Sequence, residues 1–500
     1  MKQLGILDSA FINLEHPNTP QHVGGLGIYD QSTAPDGKVR FKEVIASFER
    51  KLKKLPLFRT RLVQVPGGYD RPYWVQDNNF DMEFHLRHIA LPKPGDWRQL
   101  CILIARLHAR PLDMSRPLWE AYIIEGLDNV AHLHKNNCFA VYTKMHHSMV
   151  DGAGGASFMS ALHDLEPNPS TADEEGDNEI YLAEHQPSAF NMLTRGTFNT
   201  MRNGVNLMQG LYKNSFAAGR NILDIARGRV PMPDIRAPKT RFNQAVGPYR
   251  IFEAALFNMD DLKAVKNATG TKVNDVAITI IAGAMRHYLQ HHNELPSESL
   301  SATMPLNMRT RRDETEENNQ VGSVFTNIHT DIEDPVERLY AIHKSTIDAK
   351  AFGEQTPLVD TLKLAGVFSP RLTRSLVRLY VDNSLTERLP FSVSTAISNV
   401  AGPPFPLYCS GAKMLQYHGV GLLTAGVGLF HLVFSYFGTV TITVVGDRAS
   451  MPDPSFYREC LEKSFAELKA AALKKGKTIK HKAKIDAEEK QKVQEAGITD

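Results

Sequence analysis

Cysteine is scarce in this chain, with only four among 500 residues: Cys101, Cys138, Cys409 and Cys460. No two of them have the spacing of zinc ribbons or thioredoxin-like motifs, so neither class is predicted. An excess of one charge is also lacking, because 57 Lys and Arg offset 55 Asp and Glu to leave a net charge of +2. The overall charge therefore gives no reason to bind nucleic acid, and a charged partner must meet a local patch.

A secretory signal is absent from the N-terminus, where Asp8 and Glu15 interrupt the apolar positions. We therefore expect a cytoplasmic protein with reduced thiols. Apolar residues make up 42% and charged residues 22% of the chain, which suits a globular protein. A chain of this length can bury a large core without disulfides, which excludes wholesale disorder.

One long stretch, residues 414–446, contains no Asp, Glu, Lys or Arg. A transmembrane helix needs roughly 20 mainly apolar residues, so the length alone would permit one. Five glycines interrupt the stretch, and residues 440–445 alternate Val, Thr and Ile. This pattern favours two or three buried strands with tight turns over a membrane span.

The remaining pattern predicts an α/β (α+β) chain in four parts. Apolar residues at helical spacing predict helices at 41–55, 97–107, 272–291 and 453–473, with strands at 121–124, 139–145 and 249–254 between them. We expect a first lobe at 1–165, an acidic loop and linker helix at 166–245, a second lobe at 246–473 and a charged, disordered tail at 474–500.

The linker, residues 190–229, has an apolar stripe and a separate basic stripe at helical spacing. The basic stripe comprises Arg195, Arg202, Lys213, Arg220 and Arg227. Such a helix can lie in a membrane interface, or it can dock on the protein's own core, and the two interpretations are compatible. Several glycines argue against one continuous helix.

The most specific segment is His-His-Ser-Met-Val-Asp-Gly at residues 146–152, between a predicted strand and a predicted helix. Adjacent residues of a strand point to opposite faces, so His146 and His147 form a poor metal pair and only one can face a given cavity. A neutral imidazole suits removal of a hydroxyl proton, which favours a general base over a metal site or a core pair without chemistry. Asp151 can lock the loop or orient a ring, and Gly152 permits a sharp turn.

These residues resemble the His-His-x-x-x-Asp-Gly signature of CoA-dependent acyltransferases and peptide-synthetase condensation domains. Further segments narrow the resemblance to the bacterial wax ester synthase/acyl-CoA:diacylglycerol acyltransferases: residues 7–11, 21–25, Pro117-Leu118-Trp119, Asn274-Asp275, 334–339 and 398–400. The resemblance covers roughly residues 3–470. The chain departs from the family pattern at Ala401, where proline is expected, and no serine has phenylalanine three residues later.

The resemblance implies two lobes like chloramphenicol acetyltransferase, with the active site in a tunnel between them and His147 as the base. It implies acyl-CoA as a substrate, a fatty alcohol or diacylglycerol as acceptor, and neither cofactor nor metal. It further implies peripheral contact with the inner face of the plasma membrane or with lipid droplets.

The other candidate residues each keep more than one interpretation. Thr271 is the expected N-cap of the 272–291 helix, so Asn274 in its first turn could stabilise an oxyanion, hold the alcohol or assist the cap. Asp275 could meet substrate or complement the helix dipole. The Pro117-Leu118-Trp119 segment could line the acyl site or belong to the core. Arg309, Arg311 and the tail lysines could bind the phosphates of CoA or remain solvated, and the tail could touch anionic lipid.

Other catalytic templates are missing, since the sequence has neither a nucleophile elbow nor a P-loop. We therefore expect direct acyl transfer without a covalent enzyme intermediate. Two rival hypotheses remain: a non-catalytic protein that coats lipid through its basic amphipathic segment, and an enzyme that acylates another alcohol or an amine.

Overall fold

The computed structural model describes residues 2–130, 133, 137–149, 159–168, 188–199, 238–307, 321–355, 369–383, 385 and 393–496. Most of the predicted acidic loop and of the 190–229 linker lies outside these ranges. The tail is helical through Ala496 where disorder was expected from Lys474, because the last helix simply continues. Lys, Ala, Glu and Gln, which dominate this tail, are strong helix formers.

Within the described ranges the first half of the chain forms seven strands and five helices, besides a short helical stretch at residues 159–161. The strands are β1 Lys2–Gln3, β2 His22–Asp30, β3 Thr60–Val63, β4 Tyr73–Gln76, β5 Leu86–Ala90, β6 Trp119–Leu127 and β7 Cys138–His146. The helices are α1 Ile6–Leu14, α2 Phe41–Lys53, α3 Met82–His85, α4 Trp97–Ala109 and α5 at residues 189–199. The helices predicted at 41–55 and 97–107 and the strands predicted at 121–124 and 139–145 are present within a few residues of those bounds, whereas β3, β4 and β5 were not predicted.

The second half adds eight strands and five helices in the described ranges. The strands are β8 Arg250–Asn258, β9 Ser301–Asn307, β10 Val321–Asn327, β11 Thr395–Ala401, β12 Tyr408–Cys409, β13 Ala412–Val420, β14 Leu429–Tyr436 and β15 Thr439–Asp447. The helices are α6 Met259–Thr269, α7 Val273–His291, α8 Pro335–Gln355, α9 Pro370–Asp382 and α10 Pro454–Ala496. The uncharged stretch 414–446 is thus strand, as predicted, and no described helix is long and apolar enough to cross a bilayer.

Two six-stranded mixed sheets organise the molecule. The first has the order β12-β13-β2-β7-β6-β5, and the second has the order β10-β9-β11-β14-β15-β8. In the first sheet β7 lies between β2 and β6 and is antiparallel to both. A smaller sheet, β1-β4-β3, adjoins them. The predicted α/β class with helix-flanked sheets is confirmed.

The predicted lobe boundaries need correction, because the two sheets do not follow the two halves of the chain. Strand β13 pairs antiparallel with β2 along its length, so residues 408–420 of the second half complete the first sheet. Glycine makes this pairing possible: a β-carbon at Gly25 would lie 1.8 Å from the Tyr417 hydroxyl oxygen. Sequence patterning could not show this crossover, since strand pairing over nearly 400 residues leaves no local signal.

The core of the second lobe forms where α7 and α10 cover the second sheet. Ile280 of α7, Leu461 of α10 and Ile442 of β15 are fully buried in one apolar cluster. Helix α4 of the first half also contacts the second sheet, where the Trp97 indole Nε1 donates to Oε1 of Glu253 at 2.5 Å. The two sheets are therefore packed together through helices and strands that cross between them.

Candidate active site

The histidine pair lies at the end of β7. His146 is the last residue of that strand and is paired with His22 of β2. The backbone N–H of His146 donates to Leu118 on one side, and that of His147 donates to Gln21 on the other, both at 2.9 Å. These two successive N–H groups point to opposite sides of β7, as in an extended strand. In an extended strand successive side chains lie on opposite faces of the sheet. This is the arrangement predicted for the pair.

His146 is held within the framework, with only 1% of its surface exposed. Its Nδ1 accepts from the Ser148 backbone N–H at 3.1 Å and lies 2.8 Å from the Ser148 hydroxyl. Because Nδ1 accepts a hydrogen bond from the backbone, we assign the ring proton to Nε2. That Nε2 lies 3.4 Å from Oε2 of Glu15, close enough for electrostatic attraction but without hydrogen-bond geometry.

His147 occupies a different environment and remains half-buried. Its ring stacks on the Phe11 ring of α1, with centroids 4.1 Å apart and an interplanar angle of 18°. The ring is therefore fixed on one face by an apolar surface while part of the side chain stays accessible. A fixed, accessible imidazole has the geometry required of a general base.

Glu15 connects the two histidines, although the sequence analysis did not single it out for chemistry. Its Oε2 accepts from the Gln21 backbone N–H at 2.6 Å, and the Gln21 carbonyl in turn accepts from His147. The same oxygen faces His146. One turn, residues 15–21, thus contacts both members of the pair. The only available signal was the family-like segment at residues 21–25, which gave no role to Glu15.

Four predicted site residues lie outside the described part of the chain. These are Asp151 and Gly152, which complete the histidine motif, and Arg309 and Arg311, the expected phosphate contacts. Their roles stay predictions.

The Pro117-Leu118-Trp119 segment fits the interpretation that it belongs to the core, and a place for it at the acyl site stays a prediction. All three residues are buried, and Leu118 and Trp119 belong to the first lobe's apolar core. The Trp119 Nε1 donates to the Phe58 carbonyl at 2.8 Å, and its ring stacks on His85 at 4.6 Å. The segment affects the site through its backbone, because the Leu118 carbonyl anchors His146.

Asn274 lies in the first turn of α7, as predicted, but the helix is capped differently. Lys272, rather than Thr271, is the N-cap residue, and its backbone N–H donates to Oδ2 of Asp275 at 3.0 Å. The carboxylate of Asp275 accepts from one of the free N–H groups at the helix start, and the Thr271 hydroxyl instead lies 2.9 Å from the Thr269 hydroxyl.

Asp275 fits the interpretation in which it stabilises the start of the helix, and its contact with substrate stays a prediction. It is 1% exposed, and both carboxylate oxygens are occupied by protein groups. The imidazole Nδ1 of His343 lies 2.6 Å from Oδ2, and the Thr346 hydroxyl donates to Oδ1 at 3.1 Å. Asp275 therefore ties the start of α7 to α8 and fixes the position of its neighbour Asn274.

Asn399 of β11 orients the Asn274 side chain. The Asn399 Nδ2 donates to Oδ1 of Asn274 at 2.9 Å. With its oxygen engaged, the Asn274 amide presents its NH₂ group, which is a donor. The sequence analysis noted residues 398–400 only as a family-like segment and missed this contact.

A buried polar layer lies on the His146 side of β7. Lys144 is 0% exposed, and its ammonium donates to Oε2 of Glu120 at 3.1 Å and to the Arg110 carbonyl at 3.0 Å. Burial lowers the pKa of Lys144, and Glu120 opposes that effect. Burial lowers the pKa of His108 to about 3. His108 is therefore neutral, and its two nitrogens bond the Tyr142 hydroxyl and the Gly421 carbonyl.

A cavity of about 290 Å³ lies where both halves of the chain meet. Its lining comprises His16, Asn18, Thr19, Ala245, Val246, Val381, Asp382, Ala425 and Gly426. The lining includes part of the 15–21 turn that contacts the histidines, but neither His147 nor Asn274. The predicted tunnel that reaches His147 therefore stays a prediction.

Solved structures of an acetyltransferase and of a condensation domain share the fold of this chain. The chain is similar to a trichothecene 15-O-acetyltransferase from Fusarium sporotrichioides, with a TM-score of 0.55 and 10% identity over 93% of this chain and 94% of that one. It is also similar to the first condensation domain of the calcium-dependent antibiotic synthetase, with a TM-score of 0.52 and 12% identity over 95% and 96%. At such identities the likeness concerns the fold alone.

The chain belongs to the wax ester synthase/diacylglycerol acyltransferase family. The model of that family's catalytic domain matches residues 4–277, and the model of its C-terminal domain matches residues 318–469. A candidate diacylglycerol O-acyltransferase of Mycobacterium tuberculosis (strain H37Rv) is 33% identical over 93% of this chain and 99% of its own length. The resemblance inferred from the motifs is confirmed.

Two further relatives extend the match. The O-acyltransferase WSD of Acinetobacter baylyi is 29% identical over 90% of this chain and 93% of its own. The solved wax ester synthase/diacylglycerol acyltransferase from Marinobacter aquaeolei VT8 is 28% identical, with a TM-score of 0.65 over 94% of this chain and all of that one. The chain thus matches these relatives over almost their full length.

Proposed function

We propose that this protein transfers a long-chain acyl group from acyl-CoA to the hydroxyl of a fatty alcohol, of diacylglycerol, or of both. The observation that carries the proposal is the placement of His147: half-buried, fixed against Phe11, and next to a framework histidine in the family's motif. Family membership and the names of the relatives support the substrate classes.

The proposed reaction is a direct transfer. His147 removes the hydroxyl proton, and the alcohol oxygen attacks the thioester carbonyl. The new C–O bond forms, and the NH₂ group of Asn274 stabilises the negative oxygen of the tetrahedral intermediate. The C–S bond then breaks, and the imidazolium returns its proton to the CoA thiolate. No covalent enzyme intermediate, metal or cofactor is required.

The remaining residues have supporting roles in this proposal. His146 and Glu15 hold the backbone and turn around His147, and Asp275 and Asn399 hold Asn274. Asp151 and Gly152 shape the loop after the histidines. Arg309 and Arg311 meet the phosphates of CoA, for which guanidinium groups are well suited.

The test is the His147→Ala variant, assayed with radiolabelled acyl-CoA and either hexadecanol or diacylglycerol. Loss of a general base should lower kcat by about 10²- to 10⁴-fold. His88→Ala is the matched control, because His88 is an exposed histidine on β5 that stacks on Phe41. Circular dichroism verifies that both variants fold. Ester formation by His147→Ala at the wild-type rate would refute the proposed base.

The proposal includes peripheral contact with the inner membrane surface or with lipid droplets, where long-chain acceptors are found. The described start of the linker supports this, since α5 exposes 74% of Phe190 and 69% of Phe198. The non-catalytic alternative, a lipid-coating protein, predicts this contact without acyl transfer. The assay with radiolabelled acyl-CoA separates the two.

A further inference from the structure

Helix α9 exposes a row of leucines that the sequence analysis did not consider. Leu372, Leu376 and Leu379 are 46%, 55% and 57% exposed. At 100° per residue these positions fall within about 60° of one another, on one side of the helix. Exposed leucines are ordinary when scattered, but three aligned on one helix form a continuous apolar stripe.

Basic side chains flank the leucine row. Arg371 and Arg378 are exposed and lie within about 20° of each other on α9, at the edge of its exposed side and about 80–100° from the nearest leucine. The opposite side of the helix packs on the protein, where Arg374 Nη2 donates to Oε1 of Gln64 at 3.1 Å. The one acidic residue of α9, Asp382, lies 3.2 Å from Nε2 of His16. The exposed side is thus apolar and cationic.

A second exposed apolar element lies beside α9. Helix α5 exposes Phe190, Leu193 and Phe198, while Met192 and Gly196 on its other side are buried. Both helices pack on one short segment, residues 64–70. A β-carbon at Gly68 would lie 3.3 Å from Cβ of Arg371, and a β-carbon at Gly196 would lie 3.2 Å from Cβ of Asp70.

Contacts from α5 fix this arrangement, because Asn199 Nδ2 donates to Oδ2 of Asp70 at 2.9 Å. Tyr69, in the segment on which both helices pack, is 60% exposed. We call the exposed residues Leu372, Leu376, Leu379, Phe190, Leu193, Phe198 and Tyr69, with Arg371 and Arg378, the apolar face. These residues belong to two helices and to the segment 64–70 on which both helices pack.

The geometry points to the apolar face as the surface that docks this protein on an anionic phospholipid bilayer. Leucine and aromatic side chains can enter the acyl boundary while arginines meet lipid phosphates, which is how interfacial amphipathic helices bind. A second copy of the chain fits less well, since a two-fold contact would bring the arginines of both copies together. The inference rests on the proposed function and deepens it by assigning the lipid contact to α9 and α5.

The test is flotation of the full chain with vesicles of phosphatidylcholine, with or without phosphatidylglycerol. The wild type should bind the anionic vesicles preferentially, and binding should weaken at high salt. The variant with Leu372→Gln, Leu376→Gln and Leu379→Gln should partition onto the vesicles at least about tenfold more weakly than the wild type. Arg371→Gln with Arg378→Gln should lose the preference for anionic lipid.

The matched control combines Ile102→Gln and Ile347→Gln, which change residues of α4 and α8 that are 42% and 47% exposed. It should bind vesicles like the wild type. The inference is overturned if the leucine variant binds vesicles normally. It is also overturned if that variant instead changes the oligomeric state, or if it lowers the thermal midpoint by several degrees, which would mean that protein covers the leucines.

Failure of this inference is distinguishable from failure of the proposed function. His147→Ala should float with vesicles like the wild type yet form no ester. The leucine variant should retain ester formation from substrates presented in detergent. A wild-type chain that binds vesicles but forms no ester would leave the apolar face in place and remove the acyltransferase proposal.

Discussion

At this site, residues that are distant in sequence determine the position and orientation of single side chains. The opposite orientation of His146 and His147 was predictable, because it follows from the two-residue period of a strand. The role of Glu15 was not predictable, because its contacts arise only when the 15–21 turn closes onto β7. The same holds for Asn399, which meets Asn274 across 125 residues of chain.

Asn399 gives a prediction at this scale. Asn399→Ala should free the Asn274 amide to rotate, so kcat should fall about tenfold with little change in KM, because an oxyanion donor acts on the transition state. The control is Ser398→Ala, the preceding residue on β11, whose side chain points to the other face. Steady-state kinetics of the wild type and both variants measure kcat and KM. A raised KM with unchanged kcat would show that Asn399 holds substrate instead.

At the scale of elements, the sequence pattern predicts where α7 begins but not how its first turn is capped. Apolar spacing placed the helix within one residue of its observed start at Val273. The hydroxyl of Thr271 suggested a cap, but the carboxylate of Asp275 performs that function from within the helix. Its bonds to His343 and Thr346 depend on the packing of α8, which no local pattern reveals.

Asp275→Asn should therefore destabilise the protein. The amide keeps the shape of the carboxylate but removes charge-assisted bonds from a buried position, at a cost of about 2–3 kcal/mol in the free energy of unfolding. Urea denaturation measures the change. Asp260→Asn, which alters an exposed pair with Lys263, should cost almost nothing. Equal stability of the two variants would contradict the structural role of Asp275.

At the scale of the whole molecule, buried neutral histidines make stability depend on pH. Burial lowers the pKa of His163 to about 4 and the pKa of both His108 and His431 to about 3. It also lowers the pKa of His22 and of His85. In an unfolded chain histidine is protonated below about pH 6.5. In acid these histidines therefore bind protons in the unfolded state while they remain neutral in the folded state.

Stability should consequently fall as the pH drops below about 6.5, and the loss should continue toward pH 4 for His163 and pH 3 for His108 and His431. Each such histidine contributes up to about 1.4 kcal/mol per pH unit. Urea denaturation between about pH 7 and pH 5 measures the slope, and His431→Gln should reduce it by one histidine's share. A flat profile would contradict the buried neutral histidines.

The passage of β13 into the first sheet has a consequence for how such a protein can be divided. A fragment ending near residue 245 would leave β2, His22–Asp30, with unpaired backbone groups along an open edge. The complementary fragment would carry β13 without its partner strand β2. Neither fragment can fold alone. The two fragments should therefore be recovered in soluble form only when they are co-expressed.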